Sequence, residues 1–147
     1  MSIIIRVSAV EDAEAIAGIE SEAFSMQWSV NAFTDAIKSK NYIYLTAFND
    51  NEIVGYAGCT VVGDEGDITN IAVDKNYRKR GIGEMLIRRL IEEADDCGIG
   101  QIFLEVRASN IAAQALYTKV GFEMIGTRRN FYQKPTEDAC LMKWTKI

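Results

Sequence analysis

The sequence contains no histidine, and this absence restricts the chemistry available to the protein. Serine–histidine and cysteine–histidine catalysis need an imidazole base, and most zinc sites use at least one histidine ligand. Any reaction must therefore rely on carboxylate, tyrosine, lysine, cysteine or backbone groups. We expect no bound metal.

Cysteine and proline are also scarce. The three cysteines are scattered and include no C-x-x-C pair, so we expect buried, reduced thiols at Cys59, Cys97 and Cys140. Pro135 is the one proline, and no repeat, low-complexity tract or proline-rich linker divides the chain. With 147 residues and 48% hydrophobic content, the chain is expected to form one domain over residues 1–147.

Long apolar runs and excess positive charge are missing as well. No run approaches the roughly 20 apolar residues that span a bilayer, and the N-terminus lacks the features of a signal peptide, so we expect a cytoplasmic protein that does not bind membranes. The net charge of -5 argues against a general nucleic-acid binder. Basic residues nevertheless cluster at 78–80 and 88–89, and this clustering leaves room for one local anion site.

The hydrophobic periodicity predicts an α/β (α+β) fold: a mixed central sheet with helices on both faces. A capping box formed by Ser8 and Glu11 should open the first helix, and Ser29 and Ser109 should cap two others. A strand, a helix and a second strand over residues 67–106 should form a βαβ unit with parallel strands. Strands are predicted over residues 3–7, 42–48, 53–62, 67–73, 101–106, 122–125 and 139–144.

Residues 71–83 carry the first motif, in which a strand leads through a basic loop into a helix. Gly81 and Gly83 let the backbone approach a ligand closely, and the free N–H groups at a helix start suit a pyrophosphate. The spacing fits neither a Walker loop nor a dinucleotide fingerprint. A glycine-containing turn beside solvated basic residues is the alternative interpretation.

Residues 104–122 carry the second motif. Glu105 lies near the carboxyl end of a predicted strand, where ligand crevices form in α/β sheets. Asn110 stands at a helix start and can offer an amide, and Tyr117 follows about two turns later. Each also has a purely structural interpretation, because Glu105 could be a solvated edge residue, Asn110 a cap and Tyr117 a core aromatic.

Together the two motifs resemble the GNAT superfamily of N-acetyltransferases, since residues 78–83 match its R/Q-x-x-G-x-G/A loop and the element order matches most of the chain. The longer string Leu-Glu-Val-Arg-Ala-Ser-Asn at 104–110, followed by Ala-Leu-Tyr and Val-Gly-Phe, resembles the RimI-type subgroup, which acetylates the N-terminal alanine of a ribosomal protein. Two positions depart from the subgroup's pattern: Gln27 replaces a frequent proline and Phe131 a common tyrosine.

The resemblance implies acetyl-CoA as the acetyl donor and a ribosomal-protein N-terminal peptide as the acceptor. It implies Glu105 as general base and Tyr117 as general acid. The cofactor would be bound by the backbone of Ile71, Ala72 and Val73, by the loop and helix start formed by Lys79, Arg80, Gly81, Ile82, Gly83 and Glu84, and by Asn110.

The acceptor peptide would follow a path lined by Trp28, Tyr132, Glu137 and Asp138, although Trp28 could equally be a core residue and the two carboxylates part of a solvated loop. An acidic surface would suit a basic ribosomal tail. Two other functions stay open at this point: acetylation of a small amine or amino acid, and non-catalytic binding of an acyl-CoA. The residues do not determine the oligomeric state.

Overall fold

The computed structural model describes residues 2–23 and 28–146 and contains a seven-stranded sheet with the order β1-β2-β3-β4-β5-β7-β6. No helix within these ranges is long and apolar enough to cross a bilayer. The strands are β1 (Ile3–Val7), β2 (Tyr42–Asn49), β3 (Glu52–Val62), β4 (Glu65–Val73), β5 (Gln101–Arg107), β6 (Glu123–Tyr132) and β7 (Glu137–Thr145). The helices are α1 (Ala13–Ala23), α2 (Val30–Lys38), α3 (Ile82–Asp96) and α4 (Ile111–Lys119).

The sheet is mixed, as predicted. β4 and β5, which flank α3 in the chain, pair in parallel, while the other neighbouring strands pair antiparallel. The β4–β5 pairing runs from Glu65–Gln101 to Asp67–Phe103, and a cleft lies between the two strands beyond that point. A βαβ unit whose strands separate at their carboxyl ends places a crevice at the edge where ligands bind in open α/β sheets.

Helices cover both faces of the sheet, again as predicted. α3 is amphipathic, and its apolar face buries Leu86, Ile87 and Leu90 against the first four strands. Full burial of each such side chain contributes about 1.5–3 kcal/mol relative to exposure. Tyr117 of α4 and Val120, which follows the helix, join the same apolar cluster. On the opposite face, α1 and α2 pack with residues of β2, β3 and β4 in a second cluster.

Two of the three predicted helix caps are wrong. Ser29 does cap α2, accepting a hydrogen bond from the Ala32 N–H at 3.1 Å. Ser8 instead hydrogen-bonds the buried Thr46 hydroxyl, and it is Asp12, not Glu11, that accepts from the Ala9 N–H at 2.9 Å. Asp12 lies three residues after Ala9, and its bond to the Ala9 N–H supports a short 3₁₀ turn (Val10–Asp12) that precedes α1.

The cap of α4 is Asn110 and not Ser109. The Asn110 Oδ1 accepts from the Ala113 N–H at 3.1 Å, while the Ser109 backbone N–H donates to Glu137. Both residues are good caps in isolation, and the long-range bond to Glu137 moves the helix start by one residue.

A buried polar network underlies the diverging part of β4. Glu20 of α1 is 1% exposed, and its carboxylate accepts hydrogen bonds from the Tyr56 hydroxyl and from the Asn70 amide at 3.2 and 3.3 Å. The Asn70 Oδ1 in turn accepts from the Tyr44 hydroxyl at 2.9 Å. A buried carboxylate is tolerated when donors satisfy its oxygens, so this network fixes α1 against the wall of the cleft.

Candidate active site

The cleft between β4 and β5 has a volume of about 730 Å³ and contains several of the residues predicted from the sequence. Its walls come from the diverging parts of β4 and β5, from the start of α4 and from the turn between β6 and β7. The predicted site residues among its lining are Ile71, Glu105, Asn110, Tyr117 and Tyr132. Residues from separate parts of the chain thus meet at one edge of the sheet.

Glu105 lies on the β5 wall with its side chain 28% exposed. Partial burial raises the pKa of its carboxyl group, and the negative charge of Asp67 on β4 raises it further. The Arg128 guanidinium, whose Nη1 lies 3.8 Å from the Glu105 Oε1, acts in the opposite direction. A carboxylate whose pKa is raised above its usual value is better matched to proton transfer near neutral pH.

Tyr117 lies in α4 and lines the same cleft, although only 6% of the residue is exposed. Burial raises the pKa of its hydroxyl well above the usual value, with a smaller contribution from Tyr132. The hydroxyl therefore stays protonated throughout the neutral and mildly alkaline range and can donate a proton there. Its ring lies 5.7 Å from that of Phe122, so Tyr117 also packs against the core.

The loop before α3 has the geometry of an anion cradle. Gly81 adopts φ of +83° at the N-cap, and no heavy atom lies within 4 Å of the place where its Cβ would be. The first N–H groups of a helix lack intrahelical acceptors and point toward the helix start, which favours a phosphate there. The Arg78 Nε donates to the Val73 carbonyl at 3.0 Å, so the basic loop is tied to the end of β4.

Glu84 is the one acidic member of the predicted cofactor loop, and its carboxylate is engaged within the protein. It accepts from Lys119 at 2.8 Å and from Arg88 at 3.0 Å. These two hydrogen bonds, that of Lys119 foremost, lower the pKa of Glu84. Two cations, Lys119 and Arg88, thus lie beside the start of α3.

A β-bulge, which the sequence did not predict, lies on the β4 wall of the cleft. The register passes from Gly58–Asn70 to Cys59–Ile68 and leaves Thr69 as the extra residue of β4. Bulges bend a strand and increase its twist, so this one lies where β4 separates from β5. No short-range sequence signal marks it, because a bulge depends on the register between two strands.

The predicted acceptor residues are not all brought together. Tyr132 lines the cleft and is half-buried, and burial, with smaller effects of nearby charges, raises its pKa to about 12. Trp28 lies elsewhere, in a depression of about 440 Å³ that it shares with Asp35 and Tyr42 beside α2. Gln27 falls outside the described residues.

The two predicted acceptor carboxylates are used for internal contacts. Glu137 accepts from Arg107 at 3.3 Å and from the Ser109 N–H at 2.5 Å. The Asp138 Oδ1 accepts from the Asn130 N–H at 2.9 Å. Neither residue is among those that line the cleft, and their role in acceptor binding stays a prediction.

Comparison with known proteins identifies the class of protein to which this fold and cleft belong. The model of the acetyltransferase (GNAT) family matches residues 13–122, and the chain belongs to that family. The resemblance inferred from the two motifs is therefore confirmed at the level of the family.

The names of similar proteins specify one acceptor within this family. The chain is 39% identical over 142 residues to the ribosomal protein bS18-alanine N-acetyltransferase of Salmonella typhimurium, covering 94% of each chain. It is 36% identical over 145 residues to the protein of the same name from Haemophilus influenzae, covering 97% of each. The crystal structure of the ribosomal-protein-S18-alanine N-acetyltransferase from Escherichia coli superposes with a TM-score of 0.89 at 34% identity, covering 98% of this chain and 94% of that one.

Proposed function

We propose that the protein transfers the acetyl group of acetyl-CoA to the N-terminal α-amine of a protein, namely the N-terminal alanine of ribosomal protein bS18. The meeting of Glu105 and Tyr117 in one cleft is the observation that carries the acetyl transfer. The start of α3 lies close to α4, the helix that carries Tyr117, because a Cβ at Gly83 would lie 3.5 Å from the Leu116 Cδ2. The full-length similarity to enzymes named for bS18 supports the choice of acceptor.

The cofactor would lie along the diverging edge of β4 and end at the start of α3. The backbone of residues 71–73 would bind the pantetheine arm, and residues 79–84 the pyrophosphate. The open space beside Gly81 and the cations held around Glu84 fit an extended ligand that carries phosphates. The side-chain amide nitrogen of Asn110, whose Oδ1 caps α4, would contact the same ligand.

Glu105 would act as the base. An N-terminal amine has a pKa of about 7.7–8.0, so roughly a tenth or more is already neutral at pH 7, whereas a lysine side chain with a pKa of about 10.4 is almost wholly charged. A base of moderate strength therefore suffices. Glu105, directly or through one water, would take the proton as the amine attacks the thioester carbonyl.

Tyr117 would act as the acid. Collapse of the tetrahedral intermediate breaks the carbon–sulfur bond, and the Tyr117 hydroxyl would donate its proton to the departing sulfur. The conjugate thiol should resemble cysteine, with a pKa of about 8.5. The Tyr117 hydroxyl is protonated at neutral pH, so it has a proton to donate in this step.

Direct transfer is favoured over an acyl-enzyme. Burial raises the pKa of the Cys59 thiol to about 12, so this thiol stays protonated and poorly nucleophilic. Cys140 lies on β7, is partly buried and packs against the apolar cluster under α3. The expectation that Cys97 is buried is wrong, because it follows the end of α3 and is exposed. None of the three cysteines is among the residues that line the cleft.

A panel of acceptors tests the proposal. Release of CoA is measured with a peptide that starts with the N-terminal alanine of bS18, with the same peptide blocked at its α-amine but carrying lysine, and with polyamines and free amino acids. We expect turnover of the alanine-starting peptide alone. Preferential turnover of small amines would assign the protein to another acceptor class, and tight acetyl-CoA binding without CoA release would indicate a binding module.

Gly83→Trp is expected to weaken acetyl-CoA binding about tenfold or more without unfolding the protein, because a large side chain at the first turn of α3 obstructs close approach of the pyrophosphate. Gly83→Ala is the matched control. Its Cβ would lie 3.5 Å from the Leu116 Cδ2, an ordinary contact, so fold and affinity should be kept. Calorimetric titration measures the affinity of both folded variants for acetyl-CoA. Equal affinities of Gly83→Trp and Gly83→Ala would exclude this loop from the cofactor site.

A further inference from the structure

The turn between β6 and β7 forms one wall of the cleft, and Arg107 ties this turn to the end of β5. The Arg107 Nη2 donates to the Gln133 carbonyl at 3.0 Å, and its Nη1 donates to the Pro135 carbonyl at 3.0 Å. The Nη1 also lies 3.3 Å from the Glu137 Oε1. One guanidinium thus bridges three points of the turn, which a planar group with several fixed donors can do.

The same guanidinium lies over the ring of Tyr132, 4.5 Å from its centroid. Tyr132 lines the cleft together with Glu105 and Tyr117, and the charge of Glu105 contributes to its raised pKa. The cation–π attraction favours this orientation of the ring. Arg107 therefore acts on the wall of the cleft twice, through the backbone of the turn and through the Tyr132 side chain.

Two further hydrogen bonds hold Glu137, the partner of Arg107, and the residue after it. Glu137 also accepts from the Ser109 N–H at 2.5 Å, and the Ala108 N–H donates to the Asp138 carbonyl at 3.0 Å. The hydrogen bonds from Ser109, followed by that from Arg107, lower the pKa of Glu137. The carboxylate is therefore ionised at neutral pH, so the ion pair persists in the range where the enzyme would work.

We propose that Arg107 is a positioning residue for the acceptor: together with Glu137 it fixes the β6–β7 turn and the Tyr132 ring as the wall against which the acceptor peptide binds. This inference rests on the proposed function. Among the residues that the structure describes, the side-chain contacts of Arg107 are with the β6–β7 turn, Glu137 and Tyr132, and none is with the loop before α3. Its loss should therefore affect the acceptor and spare the cofactor. Arg107 itself need not touch either substrate.

The test compares Arg107→Met, Arg107→Lys and Glu137→Gln with Arg129→Met, which removes an exposed guanidinium from the same hairpin. We expect Arg107→Met to raise the KM for the alanine-starting peptide about tenfold or more, with the Kd for acetyl-CoA within about twofold. Arg107→Lys should fall between it and the wild type, because an ammonium keeps the charge but cannot reach both carbonyls at once. Arg129→Met should behave as the wild type.

Hydrogen exchange supplies a readout independent of turnover. Backbone amides of residues 130–138 should exchange faster in Arg107→Met and Glu137→Gln, while those of α3 and β4 are unchanged. One outcome would overturn this inference alone: the wild type acetylates the peptide, but Arg107→Met changes neither the peptide KM nor the hydrogen exchange of the turn. A folded wild-type protein that acetylates no α-amine would instead overturn the proposed function and this inference with it.

Discussion

Glu105→Gln is expected to keep the fold and acetyl-CoA affinity but to lose most turnover near neutral pH. The substitution preserves the shape of the side chain and removes its capacity to accept a proton, and loss of a general base costs roughly 10²- to 10⁴-fold. Because Glu105 is partly buried and beside Arg128, the isosteric amide perturbs the cleft wall least. The measurement is kcat/KM for the alanine-starting peptide.

The pH dependence of this variant provides a sharper test. Raising the pH increases the neutral fraction of the acceptor amine, so the need for a base falls, and the wild-type to mutant ratio of kcat/KM should shrink from about pH 6.5 to pH 9. With a lysine acceptor the rescue should require higher pH. Equal activity of both proteins across the whole range would exclude Glu105 as the base.

Asp67→Asn is the control for Glu105→Gln, because it also removes one negative charge near the cleft but leaves Glu105 in place. The carboxylate of Asp67 raises the pKa of Glu105, so its removal should lower that pKa. Since the base must be ionised, the acid limb of kcat/KM should move to lower pH while turnover near neutral pH is retained. If Asp67→Asn lost as much turnover as Glu105→Gln, any change of charge near the cleft would be sufficient to abolish activity, and the role of Glu105 as base would lose its support.

Tyr117→Phe is expected to lower kcat by roughly 10²- to 10⁴-fold while retaining most of the acetyl-CoA affinity, because the ring still packs against Phe122 but cannot protonate the departing sulfur. The defect should diminish above about pH 8.5, where the thiolate is itself a stable leaving group. The rate is measured in a single turnover, so that product release does not mask the chemical step.

Tyr132→Phe removes a second hydroxyl from the same cleft and serves as the control for Tyr117→Phe. Its ring and its stacking with Arg107 are preserved, so kcat should fall less than about tenfold. A Tyr117→Phe variant with full single-turnover rate would leave Tyr117 as a packing residue of α4.

The sequence was sufficient to locate the cleft because both motifs are local. Glu105 and Tyr117 lie near the end of β5 and in α4, two elements that the sequence predicts. The parallel pairing of β4 and β5 then follows from a strand–helix–strand order, and it brings the basic loop and the second motif to the same edge. The core of the proposed site could thus be predicted from residue spacing and family resemblance together.

Features that depend on long-range register could not be predicted. β6 extends to Tyr132, seven residues beyond its predicted end, because pairing with β7 compensates for a weakly alternating sequence. Arg107 was part of a recognised motif, but its bonds to Gln133 and Pro135 depend on how the β6–β7 turn folds back. Glu20 likewise lies in a helical stripe that gives no sign of its partners on β3 and β4.

The most direct test of the account is mass spectrometry of the intact N-terminus of bS18 after incubation with this protein and acetyl-CoA, and in cells that contain or lack it. We expect one added acetyl group on the N-terminal alanine, dependent on the protein and absent with Glu105→Gln near neutral pH. An N-terminal alanine that stays unmodified in the presence of active, acetyl-CoA-bound protein, or acetyl groups found on lysine side chains instead, would contradict the account.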